Sequence, residues 1–246
     1  MVKLEGWNYI VLESVDSTND EAKKYCLISK QKTVIRANRQ TKGRGRCGRT
    51  WISNSGNLFC SLVLEFELKE LGSLVMVSAL SLAQTVKSFS DKIQPQIKWP
   101  NDVLLNRAKL SGILLEKGDG NYMIVGIGVN IVSAPKSEDL LYKTTSLREN
   151  GIICTAEEFL VVYLKAFNQN IELLKNGNKY DLFARWHNQA YGIGKPIIIR
   201  QDKKEEKGIF IGIDENMALL LKQGSKIKKI LAGDVFFENG DKNGRI

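Results

Sequence analysis

Histidine is almost absent from this chain, because His187 is the one histidine among 246 residues. A histidine-based metal site or a Ser-His-Asp triad would depend on this single imidazole, and no nucleophile motif accompanies it. His187 follows Trp186 in a predicted helix, where a packing role is the simplest interpretation. Lysine, arginine and carboxylate side chains must therefore carry any chemistry.

Cysteine is also scarce, and the four cysteines are too scattered to form a Cys-x-x-Cys pair. Disulfides and a zinc site are not expected, so we assign no metal-ligating residues and expect a reducing, cytoplasmic location. The chain after Met1 lacks an apolar signal-peptide core, and no stretch approaches about 18 consecutive apolar residues. No membrane partner is predicted.

Long basic runs are missing as well, although lysine and arginine (36) outnumber aspartate and glutamate (27) and the net charge is +9. A diffuse basic surface or a polyanionic small substrate explains this charge about as well as nucleic acid does. The phosphate-binding pattern Gly-x-x-x-x-Gly-Lys-[Ser/Thr] does not occur, which excludes a P-loop enzyme.

The most unusual stretch that is present is Gln40–Trp51, called the Gly/Arg loop below, in which three glycines are interleaved with three arginines. Glycine lets a backbone approach a ligand closely, and arginine adds permanent charge and forked donors, so the loop is expected to wrap an anionic group. Its Gly-x-Gly-x-x-Gly spacing also occurs in dinucleotide-binding turns. Because a strand, Leu58–Leu64, follows where such a turn needs a helix, we reject that interpretation.

Apolar runs, helix caps and turn residues predict alternating strands and helices as far as Gly192. The predicted strands of this part are Tyr9–Leu12, Thr33–Ala37, Leu58–Leu64, an interrupted strand over Ile97–Leu105, Lys109–Glu116 and Tyr122–Asn130. The predicted helices begin at a Thr18/Glu21 capping box, at Leu71, at a Thr155/Glu158 capping box and at about Lys179. Beyond Gly192, five short strands at about ten-residue spacing predict a small β-barrel.

Polar and cationic side chains are concentrated at strand ends and loops of this one sheet. They are Gln40, Arg44, Arg46, Arg49, Lys98, Asn101, Asp102 and Lys109. Several cations could converge on a triphosphate, and an Arg/Lys clamp with bound Mg²⁺ is what phosphoryl or nucleotidyl transfer requires. Glycines in the last two strands of the sheet further suggest a ligand lying against it, at Gly112, Gly126 and Gly128.

Taken together, these stretches resemble the signature motifs of biotin protein ligases, in the order and at the spacing of that family. The resemblance rests on Asp16–Asn19, Gln40, Gly43–Trp51, Lys98–Asp102, Lys109–Glu116, Gly126–Asn130, Gly212–Glu215 and Leu219–Leu221. It covers essentially the whole chain. It implies an α+β fold in which a mixed-sheet catalytic domain of the biotin/lipoate ligase type, residues 1–192, has its helices mainly on one side. A small SH3-like β-barrel, residues 193–246, follows.

The resemblance implies a reaction in two steps. The carboxylate of biotin attacks the α-phosphate of ATP to form biotinyl-5′-AMP, and a specific lysine of a biotin carboxyl carrier protein then takes the biotinyl group. ATP with Mg²⁺, biotin and the carrier domain are thus the implied partners. Homodimers that pair sheets edge to edge are common among relatives, but the sequence does not indicate which edge is free.

The roles of individual residues are carried over from the same resemblance. Biotin would contact Ser17, Thr18, Asn19, Gln40, Gly43, Arg44, Gly45, Arg46, Lys109, Gly112 and Gly126. ATP would contact Arg46, Arg49, Trp51, Lys98, Asn101 and Asn130, with Trp51 stacked on adenine. Lys109, Arg46 and Asp102 would be catalytic. Asp102 could position a lysine, hold a water on Mg²⁺ or accept the proton of the incoming ammonium, and these alternatives stay open.

Two features set this chain apart from many relatives. Cys47 occupies a position in the Gly/Arg loop that is often basic. It could alter the charge of the loop or make the site sensitive to thiol reagents, but we expect it to be neutral in function. Some relatives also begin with a helix-turn-helix domain of about sixty residues, whereas Tyr9–Leu12 already matches the first catalytic strand here. An enzyme that does not bind nucleic acid is therefore expected.

Two rival functions remain at this stage. A lipoate or octanoate ligase or transferase is thought to share the catalytic fold, but the Arg-Arg, Gly-Gly-Gly and His-Asp stretches typical of those relatives are not found. A basic nucleic-acid-binding module would use the Gly/Arg loop as an RGG-like segment and would bind single strands in a salt-dependent manner.

Overall fold

The computed structural model describes residues 2–29, 31–67, 70–136, 140, 142–201 and 204–237. Within these ranges, eight strands form one large sheet in the order β1-β2-β3-β4-β8-β7-β6-β5. Their bounds are β1 (Val2–Leu4), β2 (Trp7–Val15), β3 (Thr33–Gln40), β4 (Leu58–Glu65), β5 (Gln96–Lys98), β6 (Asp102–Leu105), β7 (Ala108–Lys117) and β8 (Tyr122–Val129). Strands β2 and β3 are parallel and the other neighbours are antiparallel, so the predicted mixed sheet is confirmed.

Helices cover both faces of this sheet. They are α1 (Thr18–Ile28), α2 (Leu71–Ser88), α3 (Ala156–Lys175) and α4 (Lys179–Gln189). Ala22 and Cys26 of α1 pack on one face, against Ile35, Val63 and Ile124. Helices α2 and α3 pack on the opposite face, as the prediction of helices mainly on one side requires.

Helix α2 is long and apolar enough to cross a membrane by length and composition alone, but 67% of it is buried inside the protein. Its contacts with α3, with α4 and with strands β5, β6 and β7 of the sheet account for this burial. This extent of burial is typical of a helix in the core of a protein.

One helix start agrees with the sequence prediction and one does not. Thr155 and Glu158 form the predicted capping box, with the side chain of each bonded to the backbone N–H of the other. The predicted box at Thr18 and Glu21 is wrong, because α1 has Ser17 as its N-cap and no side-chain cap bond. The Thr18 hydroxyl instead bonds to Gln40, in the region where the Gly/Arg loop begins.

The five strands after Gly192 form an antiparallel sheet in the order β12-β11-β10-β9-β13, as predicted for the small barrel. Their bounds are β9 (Pro196–Gln201), β10 (Lys204–Ile213), β11 (Leu219–Gln223), β12 (Lys226–Ile230) and β13 (Asp234–Phe237). Residues 238–246 of the predicted barrel domain lie outside the described residues. Trp99 donates its indole N–H to the carbonyl of Met217 at 2.8 Å, which fixes the barrel against the β5–β6 hairpin.

The edges of the large sheet differ in how well they are covered. Tyr191 donates its backbone N–H to the carbonyl of Ile97 at 2.8 Å, so the chain after α4 covers β5. At the other edge, Val2 of β1 is 67% exposed. Among the described residues, the β1 edge is therefore less covered than the β5 edge. Formation of a homodimer stays a prediction.

Candidate active site

A cavity of about 350 Å³ opens on the α1 face of the large sheet. It is bordered by the start of α1, the Gly/Arg loop, the β5–β6 turn and the barrel residues Asp234 and Val235. The predicted site residues that line it are Ser17, Thr18, Asn19, Gln40, Arg44, Gly45, Arg46, Arg49, Trp51, Lys98, Asn101, Asp102, Lys109, Gly112, Gly126 and Asn130. The structure thus brings together residues that are far apart in the sequence.

Glycines in β7 and β8 form the floor of the cavity and let side chains lie directly on the sheet. A Cβ atom at Gly126 would lie 2.4 Å from Asn19 Oδ1, and one at Gly128 would lie 2.3 Å from Trp51 Cε2. A Cβ at Gly112 would come to 3.0 Å from Trp51 Cζ3. Because the distances at Gly126 and Gly128 are well below van der Waals contact, Asn19 and Trp51 can occupy their places only over glycine at these two positions.

Gly43 is the one predicted site residue that does not line the cavity. Its carbonyl accepts the backbone N–H of Trp51 at 2.9 Å, and a Cβ at this position would lie 2.6 Å from the Trp51 carbonyl oxygen. Gly43 therefore closes the base of the Gly/Arg loop, and a direct contact with biotin is not supported by this position. At the tip, Cys47 is exposed with φ 53°, in the left-handed region.

Neutral polar groups gather at the α1 end of the cavity. Gln40 Oε1 accepts the Thr18 backbone N–H at 2.8 Å and lies 3.2 Å from its hydroxyl. Ser61 Oγ lies 2.8 Å from Thr18 Oγ1 and 2.5 Å from Asn19 Oδ1, and Ser61 is fully buried. This network presents several donors and acceptors in fixed positions, a pattern that suits a small uncharged polar group.

Charged residues behind this network hold Arg44 and Asn19 in place. Arg44 forms two hydrogen bonds with the Asp20 carboxylate, at 2.5 and 2.7 Å, and a third at 3.2 Å with Glu116. Glu116 also accepts from Asn19 Nδ2 at 2.7 Å and pairs with Lys23 at 2.9 Å. Burial raises the pKa of Glu116, but the hydrogen bonds from Lys23 and Asn19 outweigh it and the net shift is downward.

The middle of the cavity contains an ion pair and an anchored arginine. Lys109 Nζ lies 2.7 Å from Asp102 Oδ1, and both side chains are mostly buried. Arg46 Nη1 donates to Asn101 Oδ1 at 3.1 Å, while Asn101 Nδ2 donates to the Ile113 carbonyl at 2.6 Å. Asn101 thereby links the Gly/Arg loop to the floor of the cavity.

Asn130 lines the same region, but its amide is engaged with the backbone. Its Nδ2 donates to the Thr145 carbonyl at 3.1 Å, and the side chain is 2% exposed. Asn130 therefore holds the segment after β8 against the sheet.

Cations accumulate where the cavity meets the barrel. Arg49 Nη2 donates to Asp234 Oδ1 at 2.9 Å, which ties the Gly/Arg loop to β13. Lys98 is 2% exposed, and its Nζ lies 3.5 Å from the centroid of the Tyr142 ring. Burial lowers the pKa of Lys98 to about 7. Four cationic side chains thus border this half of the cavity, namely Arg46, Arg49, Lys98 and Lys109.

Sequence reasoning did not single out several residues that shape the cavity. They are Asp20, Lys23, Ser61, Tyr142 and Asp234. Glu116 ends one of the recognised motifs, but the motif predicts no role for it. Asp20 and Lys23 resemble ordinary first-turn residues of a helix, and Tyr142 and Asp234 belong to no motif. Among the described residues, no group of three or more His, Cys, Asp and Glu side chains could hold a metal ion.

Two family models match the chain. The Biotin/lipoate A/B protein ligase family matches residues 11–130, and the Biotin protein ligase C terminal domain matches residues 192–238. The first match contains the Gly/Arg loop and the floor glycines, and the second contains Asp234. The cavity therefore lies where the two matched regions meet.

Individual relatives agree with these matches. A biotin–[acetyl-CoA-carboxylase] ligase of Paracoccus denitrificans is 36% identical over 92% of this chain and 99% of its own length. The bifunctional ligase/repressor BirA of Escherichia coli is 29% identical over 98% of this chain and 77% of its own. A solved structure of the Aquifex aeolicus biotin protein ligase in complex with biotin and ATP superposes with a TM-score of 0.82, at 32% identity, covering 93% of this chain and 97% of that one. The chain belongs to the biotin protein ligase family and is an enzyme of the ligase class.

Proposed function

We propose that this enzyme activates biotin with ATP and transfers it to a lysine of a biotin carboxyl carrier protein. The observation that carries the proposal is the polarity of the cavity, which has neutral donors and acceptors at the α1 end and four cations toward the barrel. A ligand with an uncharged polar head and an anionic tail matches this arrangement. The Aquifex aeolicus relative, which binds biotin and ATP, supports it.

The ureido head of biotin would occupy the neutral end. Its carbonyl oxygen and two N–H groups need fixed partners, because a buried polar group without a hydrogen bond costs about 1–3 kcal/mol. Ser17, Thr18, Asn19 and Gln40 would supply these partners, and Gly112 and Gly126 would leave room for the rings. Arg44 and Gly45 would border the valeryl chain from the loop side.

In the first step, an oxygen of the biotin carboxylate attacks the α-phosphorus of ATP. The bond from that phosphorus to the bridging oxygen of the β-phosphate breaks, and pyrophosphate leaves. The two reactants are both anionic, so the ammonium of Lys109 and the guanidinium of Arg46 would offset their repulsion and the charge that develops at the α-phosphate. Arg49 and Lys98 would face the pyrophosphate, and Trp51 would stack on the adenine.

Mg²⁺ would arrive with the substrate, as the ATP complex. The cavity offers the carboxylates Asp102 and Asp234, and each is already paired with a cation, Lys109 and Arg49. They do not form a separate metal site. A metal that remains on the phosphates, with waters in its other positions, agrees with the usual behaviour of Mg²⁺.

In the second step, the ε-amine of the acceptor lysine attacks the acyl carbon of biotinyl-5′-AMP. The bond from that carbon to the phosphate oxygen breaks, AMP leaves, and the nitrogen loses a proton. Asp102, 7% exposed and 2.7 Å from Lys109, is the carboxylate that could receive this proton or hold Lys109 in position. The chemistry needs no covalent enzyme intermediate.

ATP–pyrophosphate exchange tests the proposal against its rivals. We expect exchange when biotin is added, and none with lipoate or without an acid. Exchange with lipoate alone would identify a lipoate ligase. No exchange with either acid, together with tight and salt-sensitive binding of single-stranded nucleic acid, would support the nucleic-acid-binding alternative.

A further inference from the structure

The ammonium group of Lys98 is buried without a hydrogen bond. Its Nζ has no hydrogen-bond partner among the residues that the structure describes, although the side chain is only 2% exposed. The nearby carboxylate of Asp102 pairs with Lys109 at 2.7 Å, and that of Asp234 bonds with Arg49 at 2.9 Å. Burying an unpaired charge is unfavourable, so this position indicates a ligand that satisfies the ammonium.

Among the described residues, the aromatic ring of Tyr142 lies directly against this charge, while Asp102 and Asp234 stabilise it electrostatically without a hydrogen bond to it. Lys98 Nζ lies 3.5 Å from the ring centroid, a distance at which the ring quadrupole attracts a cation. A ring face does not accept hydrogen bonds in the way a carboxylate does, so the N–H donors of Lys98 stay available. Burial raises the pKa of the Tyr142 hydroxyl well above its usual value, and the phenol therefore stays neutral.

We propose that Tyr142 is a positioning residue that holds the Lys98 ammonium over its ring and directs the free N–H donors to the β- and γ-phosphates of ATP. This inference rests on the proposed function and adds a residue from the segment after β8, outside every recognised motif. The Tyr142 hydroxyl lies beside Arg49, so the same side chain contacts both cations at this end of the cavity.

A proton should therefore bind together with ATP. Five groups surround Lys98 from the packed elements, namely Asp102, Lys109, Arg49, Asp234 and Tyr142. With its pKa lowered to about 7, Lys98 is partly neutral in the free enzyme at neutral pH. The triphosphate binds the charged form, so the enzyme takes up a proton, and the affinity for ATP falls as the pH rises above about 7.

The experiment compares Tyr142→Leu, Tyr142→Phe and Lys98→Arg with the parent protein. The KM for ATP is measured by biotin-dependent pyrophosphate exchange between about pH 6 and pH 9. Proton uptake is measured by calorimetry in two buffers of different ionisation enthalpy, with adenosine 5′-(α,β-methylene)triphosphate, whose α–β linkage is not cleaved. Lys98→Arg is the matched control, since a guanidinium keeps its charge while the titration of the nucleotide is unchanged.

We expect Tyr142→Leu to raise the KM for ATP about tenfold with little change in the KM for biotin. The inflection in the pH dependence of its KM for ATP should move to lower pH. The Lys98 ammonium has lost its contact with the ring, so the pKa of Lys98 falls further. Tyr142→Phe keeps the ring and should restore both the KM and the inflection. Proton uptake should be larger in the parent and Tyr142→Phe than in Lys98→Arg, and the difference isolates the contribution of Lys98.

Three results would count against the inference. A parent with biotin-dependent exchange, but with the same KM for ATP and the same pH profile in Tyr142→Leu, would overturn the role of Tyr142 alone. Equal proton uptake in the parent and Lys98→Arg would overturn the inference that Lys98 takes up a proton when ATP binds. This result does not depend on whether Tyr142→Leu folds. A parent without biotin-dependent exchange would overturn the proposed function itself, and this inference with it.

Discussion

Arg49 in the Gly/Arg loop donates a hydrogen bond of 2.9 Å to Asp234, the first residue of β13 in the barrel. The two residues are 185 positions apart, and both line the cavity. The barrel thus helps to shape the cationic end of the site. The loop that would cover the substrates is anchored at both its base, by Gly43, and its tip region, by Asp234.

Replacing Asp234 by asparagine should weaken the site for ATP more than for biotin. The substitution removes the negative charge opposite Arg49, while an amide oxygen can still accept a hydrogen bond. Because both side chains are about one-third exposed, the ion pair is partly screened and a KM for ATP raised only about fivefold is expected. Steady-state exchange at saturating biotin measures this effect, and a larger change in the KM for biotin would argue against it.

Glu116→Gln should weaken the affinity for biotin by about tenfold. The carboxylate accepts from Asn19 and pairs with Arg44 and Lys23, so a neutral amide would release two residues of the biotin end. Glu172→Gln, which affects an exposed ion pair with Lys175, is the matched control and should behave like the parent protein. Calorimetric titration with biotin gives the affinities, and equal values for the two variants would remove Glu116 from the site.

A methyl group at Gly126 should block biotin. In Gly126→Ala, the new Cβ would lie 2.4 Å from Asn19 Oδ1, so Asn19 must move away from Ser61 and Glu116. We expect at least about a tenfold loss of biotin affinity with an unchanged circular dichroism spectrum. Wild-type affinity in a folded Gly126→Ala protein would show that the position of Asn19 is not required.

Lys109→Ala should lose most of the adenylation activity while remaining folded. The ammonium lies 2.7 Å from Asp102 in the centre of the cavity, where the carboxylate and the α-phosphate would meet. Removing a preorganised charge of this kind typically costs about 10²–10³-fold in rate. Single-turnover formation of the adenylate is the readout, and an unchanged rate would exclude Lys109 from the mechanism.

The fold was largely predictable because its signals are local. Apolar strand runs, the Thr155/Glu158 capping box and the evenly spaced strands after Gly192 depend on residues near one another in the chain. The Thr18/Glu21 prediction failed because a threonine hydroxyl that satisfies the capping pattern was instead bonded to Gln40 and close to Ser61. Local patterns cannot show that a distant partner competes for the same side chain.

The site was predictable only as far as its motifs extend. The motif residues converge on one cavity because β-pairing brings β3, β4, β7 and β8 side by side. By contrast, the contacts of Arg44 with Glu116 and of Arg49 with Asp234 join residues that are 72 and 185 positions apart. No local pattern in the sequence indicates such pairs. The role of Tyr142 could not be predicted for the same reason, since it depends on which distant side chain packs over its ring.

The most direct test of the account is detection of the activated intermediate. The purified protein is incubated with biotin and ATP labelled at the α-phosphate, without an acceptor protein, and the products are separated by chromatography. We predict a labelled species that contains both biotin and AMP, that requires biotin, and that disappears with release of AMP when a carrier domain is added. Transfer of biotin to the carrier without any labelled adenylate, or no biotin-dependent product at all, would contradict the proposed mechanism.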